Sequence, residues 1–164
     1  ELFFQTIAST ILAGLLFIVH SIRLVNWHHH GLWKKPLLWS IYLAYGLLTL
    51  GFGLHAVSYF VSMMPNISTH SFAFGFALMT LSMMARVSLG HTGRNVFQPP
   101  KQINLMFILL TLAFITRVVL VSIFPEYYTN LIFVSQLLWI LSFSGFVIIY
   151  TPMFFQARLD GQFG

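Results

Sequence analysis

The chain consists largely of five apolar stretches that carry almost no charge. A helix that crosses a bilayer needs about 20 mainly apolar residues, and stretches of this length recur along the 164 residues. Only 7% of the residues are charged, whereas a soluble domain carries about 25%. Folding in water would leave large apolar surfaces uncovered, so we expect lipid to be the solvent for most of this chain.

The five stretches predict an all-α fold, a polytopic helical membrane protein with five transmembrane helices in one domain, residues 1–164. Strands are not expected, because the apolar runs are too long and lack the alternation of barrel strands. Prolines and glycines between the runs indicate turns. The predicted spans are about residues 2–24, 36–62, 70–89, 103–124 and 130–150. The sequence begins without methionine and already inside an apolar run, so we expect it to be the C-terminal part of a larger protein.

The basic residues between the spans predict how the helices are oriented. They fall into alternate loops: Arg23, Lys34 and Lys35 in the first, Arg94 and Lys101 in the third. The second loop is uncharged, and the fourth carries only an acid. The positive-inside rule then places the N-terminus of this chain in the periplasm and its C-terminus in the cytoplasm. This pattern accounts for the net charge of +5, so membrane lipid is the expected partner and nucleic acid is not.

A stripe of small residues follows one face of the third predicted span. Its members, spaced by four, are Ala73, Ala77, Leu81 and Ala85. Small side chains allow neighbouring membrane helices to approach closely. The stripe therefore predicts the face on which this helix packs.

Histidine and methionine are the candidate ligands for a metal or haem. The chain has no cysteine, which excludes disulfides, thiolate metal sites and iron–sulfur clusters. His55 lies near the outer end of the second span, and His70 opens the third, so both are predicted metal ligands. Met63 and Met64, in the linker between them, offer thioethers to copper. The two histidines differ in depth by several ångströms unless the helices tilt, which leaves one shared centre or two separate centres open.

Two arginines and a further histidine lie inside predicted spans. An arginine at the bilayer centre costs roughly 2.5–3.5 kcal/mol. Arg117 has no acidic residue near it in the sequence, so its guanidinium would bind backbone carbonyls, an anionic ligand or a haem propionate. The alternative is that it extends towards the interface. His20 and Arg86 fall at similar depth near the inner ends of their spans and are further candidates for cofactor binding.

The stretch "ARVSLGHTGR", Ala85 to Arg94, closes the third span with several cationic groups. On physical grounds, Gly90 or Gly93 ends the helix. His91 and Arg94 then interact with the negative end of the helix or with anionic lipid.

The amino-acid sequence of this region is more specific than the end of a helix requires. The stretch "HSFAFGFALMTLSMMARVSLGHTGR", His70 to Arg94, resembles the NnrS family of bacterial inner-membrane proteins. The closing "YTPMFFQARLDGQFG" is similar to the C-terminus of that family. Together the two stretches cover about a quarter of the chain.

The resemblance implies a function and a set of site residues. Family members are polytopic proteins described as binding haem and copper, and they are linked to nitric oxide metabolism, nitrosative stress and denitrification genes. His70, Arg86, His91 and Arg94 fall on the motif. The resemblance makes His70 a haem or copper ligand, and gives His91 and Arg94 a second centre or a haem propionate. It also implies a missing N-terminal part with a "WHGHEM"-like segment, whose helices would be partners of this chain.

The leading hypothesis is a haem- and copper-binding inner-membrane protein that acts in the nitric oxide response or relieves nitrosative stress, with nitric oxide as a ligand. The candidate cofactor-binding residues are His55, His70, His20, His91, Arg86, Arg94 and Arg117. An alternative is a transporter or channel for a small molecule or anion without bound cofactor, and a third is a helical anchor in a respiratory complex. The sequence indicates no catalytic residue, so it assigns no enzymatic activity.

Overall fold

The computed structural model describes residues 6–61, 66–159 and 161. They form helices without any strand in this described part, which confirms the predicted all-α fold. The α-helices are α1 (Ile7–Trp27), α2 (Pro36–Val57), α3 (Ile67–His91), α4 (Gln102–Phe114), α5 (Val121–Ile123) and α6 (Tyr128–Phe154). A π-helix, Ile115–Leu120, joins α4 to α5, and two 3-10 helices, His30–Lys34 and Pro125–Tyr127, lie in connections.

Five helical segments in the described residues are long and apolar enough to cross a membrane. They are α1, α2, α3, the continuous segment Gln102–Ile123, and Pro125–Phe154, which includes α6. Their number and order agree with the prediction, so this is a polytopic helical membrane protein. Hydropathy predicts the spans well because each backbone polar group in lipid must be satisfied within its own helix.

Several helix ends differ from the predicted limits of the spans. The second span ends at Val57 rather than at residue 62, which lies outside the described residues. The chain turns at residues 58–60, although Phe60 and Val61 continue the apolar run. An apolar turn has the same hydropathy as an apolar helix, so composition does not mark this end.

The third span begins at Ile67, three residues before the predicted start at His70. Asn66 precedes it with a φ of 63°, in the left-handed region that asparagine tolerates. α1 and α6 also extend beyond the predicted ends, to Trp27 and Phe154. The predicted start of the first span, residue 2, lies outside the described residues, and α1 begins after Thr6, whose side chain accepts from the Ser9 N–H at 3.1 Å.

The tightest helix pair is α2 against α3. Their close approach is at Gly75, where a Cβ would lie 2.9 Å from the backbone nitrogen of Leu48. One turn earlier, the Ser71 hydroxyl donates to the Leu47 carbonyl at 2.8 Å. These small residues let the two backbones meet.

The face of α3 predicted from the small-residue stripe was partly wrong. Leu81 and Ala85 are buried, but Ala73 is exposed and Ala77 only half-buried. The buried face of the first turns instead contains Ser71, Phe74, Gly75 and Leu78. Lipid is as apolar as a helix interface, so an alanine gains little by leaving it, and a small residue alone does not identify the packed face.

α6 packs against the fourth span through serine hydroxyls. Ser142 donates to the Met106 carbonyl at 2.7 Å, and Ser135 donates to the Ala113 carbonyl at 2.8 Å. Both serines are buried. These bonds fix α6 beside the segment in which the π-helix begins, and they set the position of the groove described next.

Candidate functional site

A groove runs between the start of α3, the π-helix and α6. We call it the His70 groove. Its volume is about 430 Å³, within the range of about 300–1,000 Å³ typical of small-molecule sites. It is lined by His70, Phe74, Arg117, Ser135, Gln136, Trp139 and Ile140. A pocket of about 30 Å³ adjoins it, shares His70 and Arg117, and reaches Tyr128.

His70 and Arg117 meet on the wall of this groove, although 47 residues separate them in the sequence. The Nη2 atom of Arg117 lies 3.4 Å from Nε2 of His70. A guanidinium has donors and no acceptor, so this hydrogen bond requires the tautomer of His70 in which Nε2 accepts. The contact is longer than most N–H hydrogen bonds.

Arg117 lies within the π-helix, and its side chain reaches His70 at the start of α3. Such segments are wider than an α-helix, redirect the side chains they carry, and occur frequently at functional sites. Two hydroxyls support the chain just before it: Ser135 donates to the Ala113 carbonyl at 2.8 Å, and Thr116 donates to the same carbonyl at 2.9 Å. The local geometry that places Arg117 is thus held from its own helix and from α6.

The walls of the groove are aromatic and open towards the outside of the bundle. The Phe74 ring packs edge-on against Phe114, and Trp139 stacks on Phe143 with ring centres 4.3 Å apart. Trp139 and Ile140 are 42% and 54% exposed on the outer side of α6. The site therefore combines apolar walls with two polar groups that converge at one point, as small-molecule sites do.

His20, another predicted site residue, lies elsewhere. Its Nδ1 is hydrogen-bonded to the Tyr45 hydroxyl, and its ring stacks on Phe52 with centres 5.5 Å apart. Arg23 lies over the Tyr45 ring at 5.7 Å. His20 therefore belongs to the contact between α1 and α2 and does not line the His70 groove.

His55 lies two residues before the end of α2, near the end of the second span as predicted. Its backbone carbonyl accepts from the Ser58 hydroxyl at 2.9 Å, and the residue does not line the His70 groove. The described residues contain no group of three or more histidine, aspartate or glutamate side chains placed to hold a metal ion. Met63 and Met64, the predicted copper ligands, lie outside the described residues.

The motif "SLGHTGR" forms the end of α3. Gly93 has a φ of 69°, and the Arg94 N–H donates to the Leu89 carbonyl at 2.8 Å, as in a Schellman cap. Arg94 Nη2 donates to Gln156 Oε1 at 2.6 Å, so the C-terminal segment folds back against this end. His91 is the last residue of α3, and Arg86 lies five residues before it. Neither Arg86 nor His91 nor Arg94 lines the His70 groove.

The comparison with known families covers almost the whole chain. A family profile described as "NnrS protein" matches residues 1–158. This chain belongs to the NnrS family. The match extends the resemblance from the two quoted stretches to all five spans of this NnrS protein. No curated protein and no solved structure matches the chain.

The wall of the His70 groove that α6 contributes was not predicted from the sequence. Ser135, Gln136 and Trp139 supply this wall. A signal was present, because Ser135 and Gln136 form a polar pair inside a strongly apolar span, and polar residues inside a membrane helix often mark function. The partner of His20, Tyr45, was also missed, since a tyrosine in a membrane helix is more often an interfacial anchor.

Proposed function

We propose that this NnrS-family protein binds haem in the His70 groove and acts in the bacterial nitric oxide response. The observation that carries the proposal is the pairing of His70 with Arg117 in a groove with aromatic walls. The proposed location is the bacterial inner membrane, with the basic loops in the cytoplasm, as the positive-inside rule requires.

The residues of the groove fit one haem with a single histidine ligand. Imidazole is a common axial ligand of haem iron, and a guanidinium binds carboxylates such as propionates through charge-assisted hydrogen bonds. Phe74 and Trp139 supply aromatic surface to the groove, and Trp139 is the more exposed of the two, at 42% against 9%. When bound, haem would supply an iron coordination position at which nitric oxide can bind.

His70 and Arg117 would each exchange one partner for another. The Nε2 atom of His70 lies 3.4 Å from Nη2 of Arg117, and the same nitrogen could bind a metal instead. Release of this long contact frees the guanidinium for an anionic group of the ligand. The exposed side of Trp139 and Ile140 opens the groove towards lipid, in which an uncharged gas such as nitric oxide dissolves.

Copper remains a predicted cofactor. Copper in proteins takes several imidazole or sulfur ligands, and the described residues contain no group of three or more histidine, aspartate or glutamate side chains that could hold it. The predicted thioether ligands Met63 and Met64 lie outside the described residues. His55 remains a predicted contributor to such a site.

Anion transport without a cofactor is the second candidate function. It is favoured by the same guanidinium, because an arginine inside a membrane domain is typical of an anion path. The two proposals differ in what the purified protein carries. A transporter would move anions across liposome membranes without haem, whereas a haem protein would be coloured.

Optical spectra of the full-length protein, purified from its own membrane, test the proposal. We would record reduced-minus-oxidised spectra with and without nitric oxide, and measure copper by elemental analysis. The variants are His70→Ala and Arg117→Gln, with His30→Ala as the control, because His30 is an exposed histidine in the 3-10 helix at the basic end.

The expected result is a Soret band that shifts with nitric oxide, is lost in His70→Ala and persists in His30→Ala. Arg117→Gln should retain the band with a lowered haem affinity. A well-folded protein without colour would refute the haem proposal, and anion flux in liposomes would then favour the transporter. An unchanged band in His70→Ala would refute the assignment of the ligand.

A further inference from the structure

A second cleft lies at the end of the bundle that carries the basic loops. We call it the Arg86 cleft. It has a volume of about 450 Å³ and lies between the last turns of α3, the loop that follows, and the C-terminal segment. Three of its side chains are basic, Arg86, His91 and Arg158, and three are apolar, Met83, Val87 and Val96. It shares no lining residue with the His70 groove.

Arg86 is a cation of this cleft that has no partner among the described residues. Its side chain is exposed and forms no hydrogen bond or ion pair with any described residue. A narrower cleft of about 50 Å³ on its other side brings Lys35 near it. Glu126 is the only acid in the described ranges, and it follows the opposite end of the fourth span. The described protein thus offers Arg86 positive neighbours and no carboxylate.

Arg86 lies between one and two turns before the end of α3, where we expect the boundary between headgroups and acyl chains. It lies five residues before the helix end at His91, or about 7.5 Å along the axis. Its neighbours Met83 and Val87 are 46% and 42% exposed and form an apolar surface beside it. A guanidinium at this depth is reached by a lipid phosphate whose acyl chains lie along that surface.

We propose that the Arg86 cleft binds the phosphate of an anionic phospholipid from the adjacent leaflet. Arg86 is the main anchor, and His91 and Arg158 lie on the other sides of the same cleft. Arginine binds phosphate oxygens through paired charge-assisted hydrogen bonds. The apolar half of the cleft favours a lipid over soluble phosphate. The side chains of Met83, Val87 and Val96 can contact acyl chains but have no hydrogen-bond donor for a phosphate oxygen.

Arg94, the next arginine along the chain, already has a protein partner, which supports Arg86 as the anchor of the lipid phosphate. Arg94 is already bound to Gln156 at 2.6 Å and holds the C-terminal segment against the helix end. Arg158 belongs to that same segment. A phosphate bound to Arg86 in this cleft would lie beside both α3 and the C-terminal segment, so lipid binding would strengthen the closure of this end.

Native mass spectrometry of the full-length protein tests the proposal. The protein in mild detergent is titrated with phosphatidylglycerol, and separately with phosphatidylcholine, whose headgroup has no net charge. Arg86→Gln is compared with wild type and with Lys101→Gln, a matched removal of an exposed cation at the same end that does not line the cleft. Helical circular dichroism and elution volume verify that the variants are folded.

Arg86→Gln should lower the affinity for phosphatidylglycerol about tenfold, the size expected for a lost hydrogen bond between charged groups. Lys101→Gln should leave that affinity unchanged, and phosphatidylcholine should bind more weakly to the wild type. Equal losses in both variants would overturn the proposal, because the attraction would then belong to the whole basic end. Complete displacement of the lipid by millimolar inorganic phosphate would also overturn it, since the site would then be one for a soluble anion.

Discussion

Replacing Gly75 by alanine tests the contact that positions α3, the helix that carries His70. A Cβ at this position would lie 2.9 Å from the backbone nitrogen of Leu48 and 3.0 Å from the carbonyl oxygen of Ala44. Comfortable contacts between non-bonded heavy atoms are about 3.5 Å. Both neighbours are backbone atoms, so no side chain can rotate away, and α2 and α3 must separate by about 0.5 Å.

Two opposing terms set the expected change in the free energy of unfolding. Overpacking a well-packed contact costs about 1–3 kcal/mol. Alanine is favoured over glycine inside a helix by about 1 kcal/mol. Gly75→Ala should therefore be destabilising by up to about 2 kcal/mol. Gly46→Ala is the matched control, because Gly46 lies inside α2 and its Cβ would meet no atom within 4 Å.

The assay is reversible unfolding in mixed micelles, with increasing sodium dodecyl sulfate and detection by tryptophan fluorescence. Both variants share the gain in helix propensity, so the difference between them isolates the packing cost. Gly46→Ala should be as stable as wild type or more stable. If Gly75→Ala proves as stable as Gly46→Ala, the close approach of α2 and α3 at this point is refuted.

Two further substitutions test individual contacts. Ser71→Ala removes the hydrogen bond to the Leu47 carbonyl and should be destabilising by about 0.6 kcal/mol, the average for such bonds in membranes. The same unfolding assay measures this change in the free energy of unfolding. A stability equal to wild type would contradict the prediction. Gly93→Ala forces alanine to a φ of 69° at a cost of about 1–2 kcal/mol. It should loosen the helix end and speed tryptic cleavage after Arg94. Gly90→Ala, whose Cβ would meet open space, should be cut at the wild-type rate, and equal rates for both variants would refute the role assigned to Gly93.

The spans were predictable because their signal is local. Each apolar run is long enough to cross a bilayer, and its backbone hydrogen bonds close within the same helix. The end of α3 was predictable too, since Gly93 is suited to the left-handed turn that Arg94 follows. Helix ends that fall inside an apolar stretch were not predictable. Residues 58–61 are an example, because the helix ends before them although the sequence remains apolar.

The His70 groove was less predictable than the helices that form it. His70 and Arg117 were each singled out from the sequence, but their contact was not, because it depends on how three helices are rotated about their axes. In water the apolar stripe of a helix fixes that rotation. In lipid the stripe carries little information, since exposed and buried faces are both apolar. The π-helix is a second reason why the contact was not predicted. The residues of Ile115–Leu120 are compatible with an ordinary α-helix, so the sequence does not indicate the wider turn.

The loose attachment of α1 has a mechanical consequence. This helix packs chiefly on α2, and only Thr10 and Ala13 of its residues are buried. The other helices share the buried core that surrounds α3 and the fourth span. Among the described helices, a force that draws α1 out of the membrane along its own axis would therefore break a single interface, and the others would yield later and at a higher force. A pulling record should show α1 as a separate step of 21 residues that precedes the unfolding of α2 to α6.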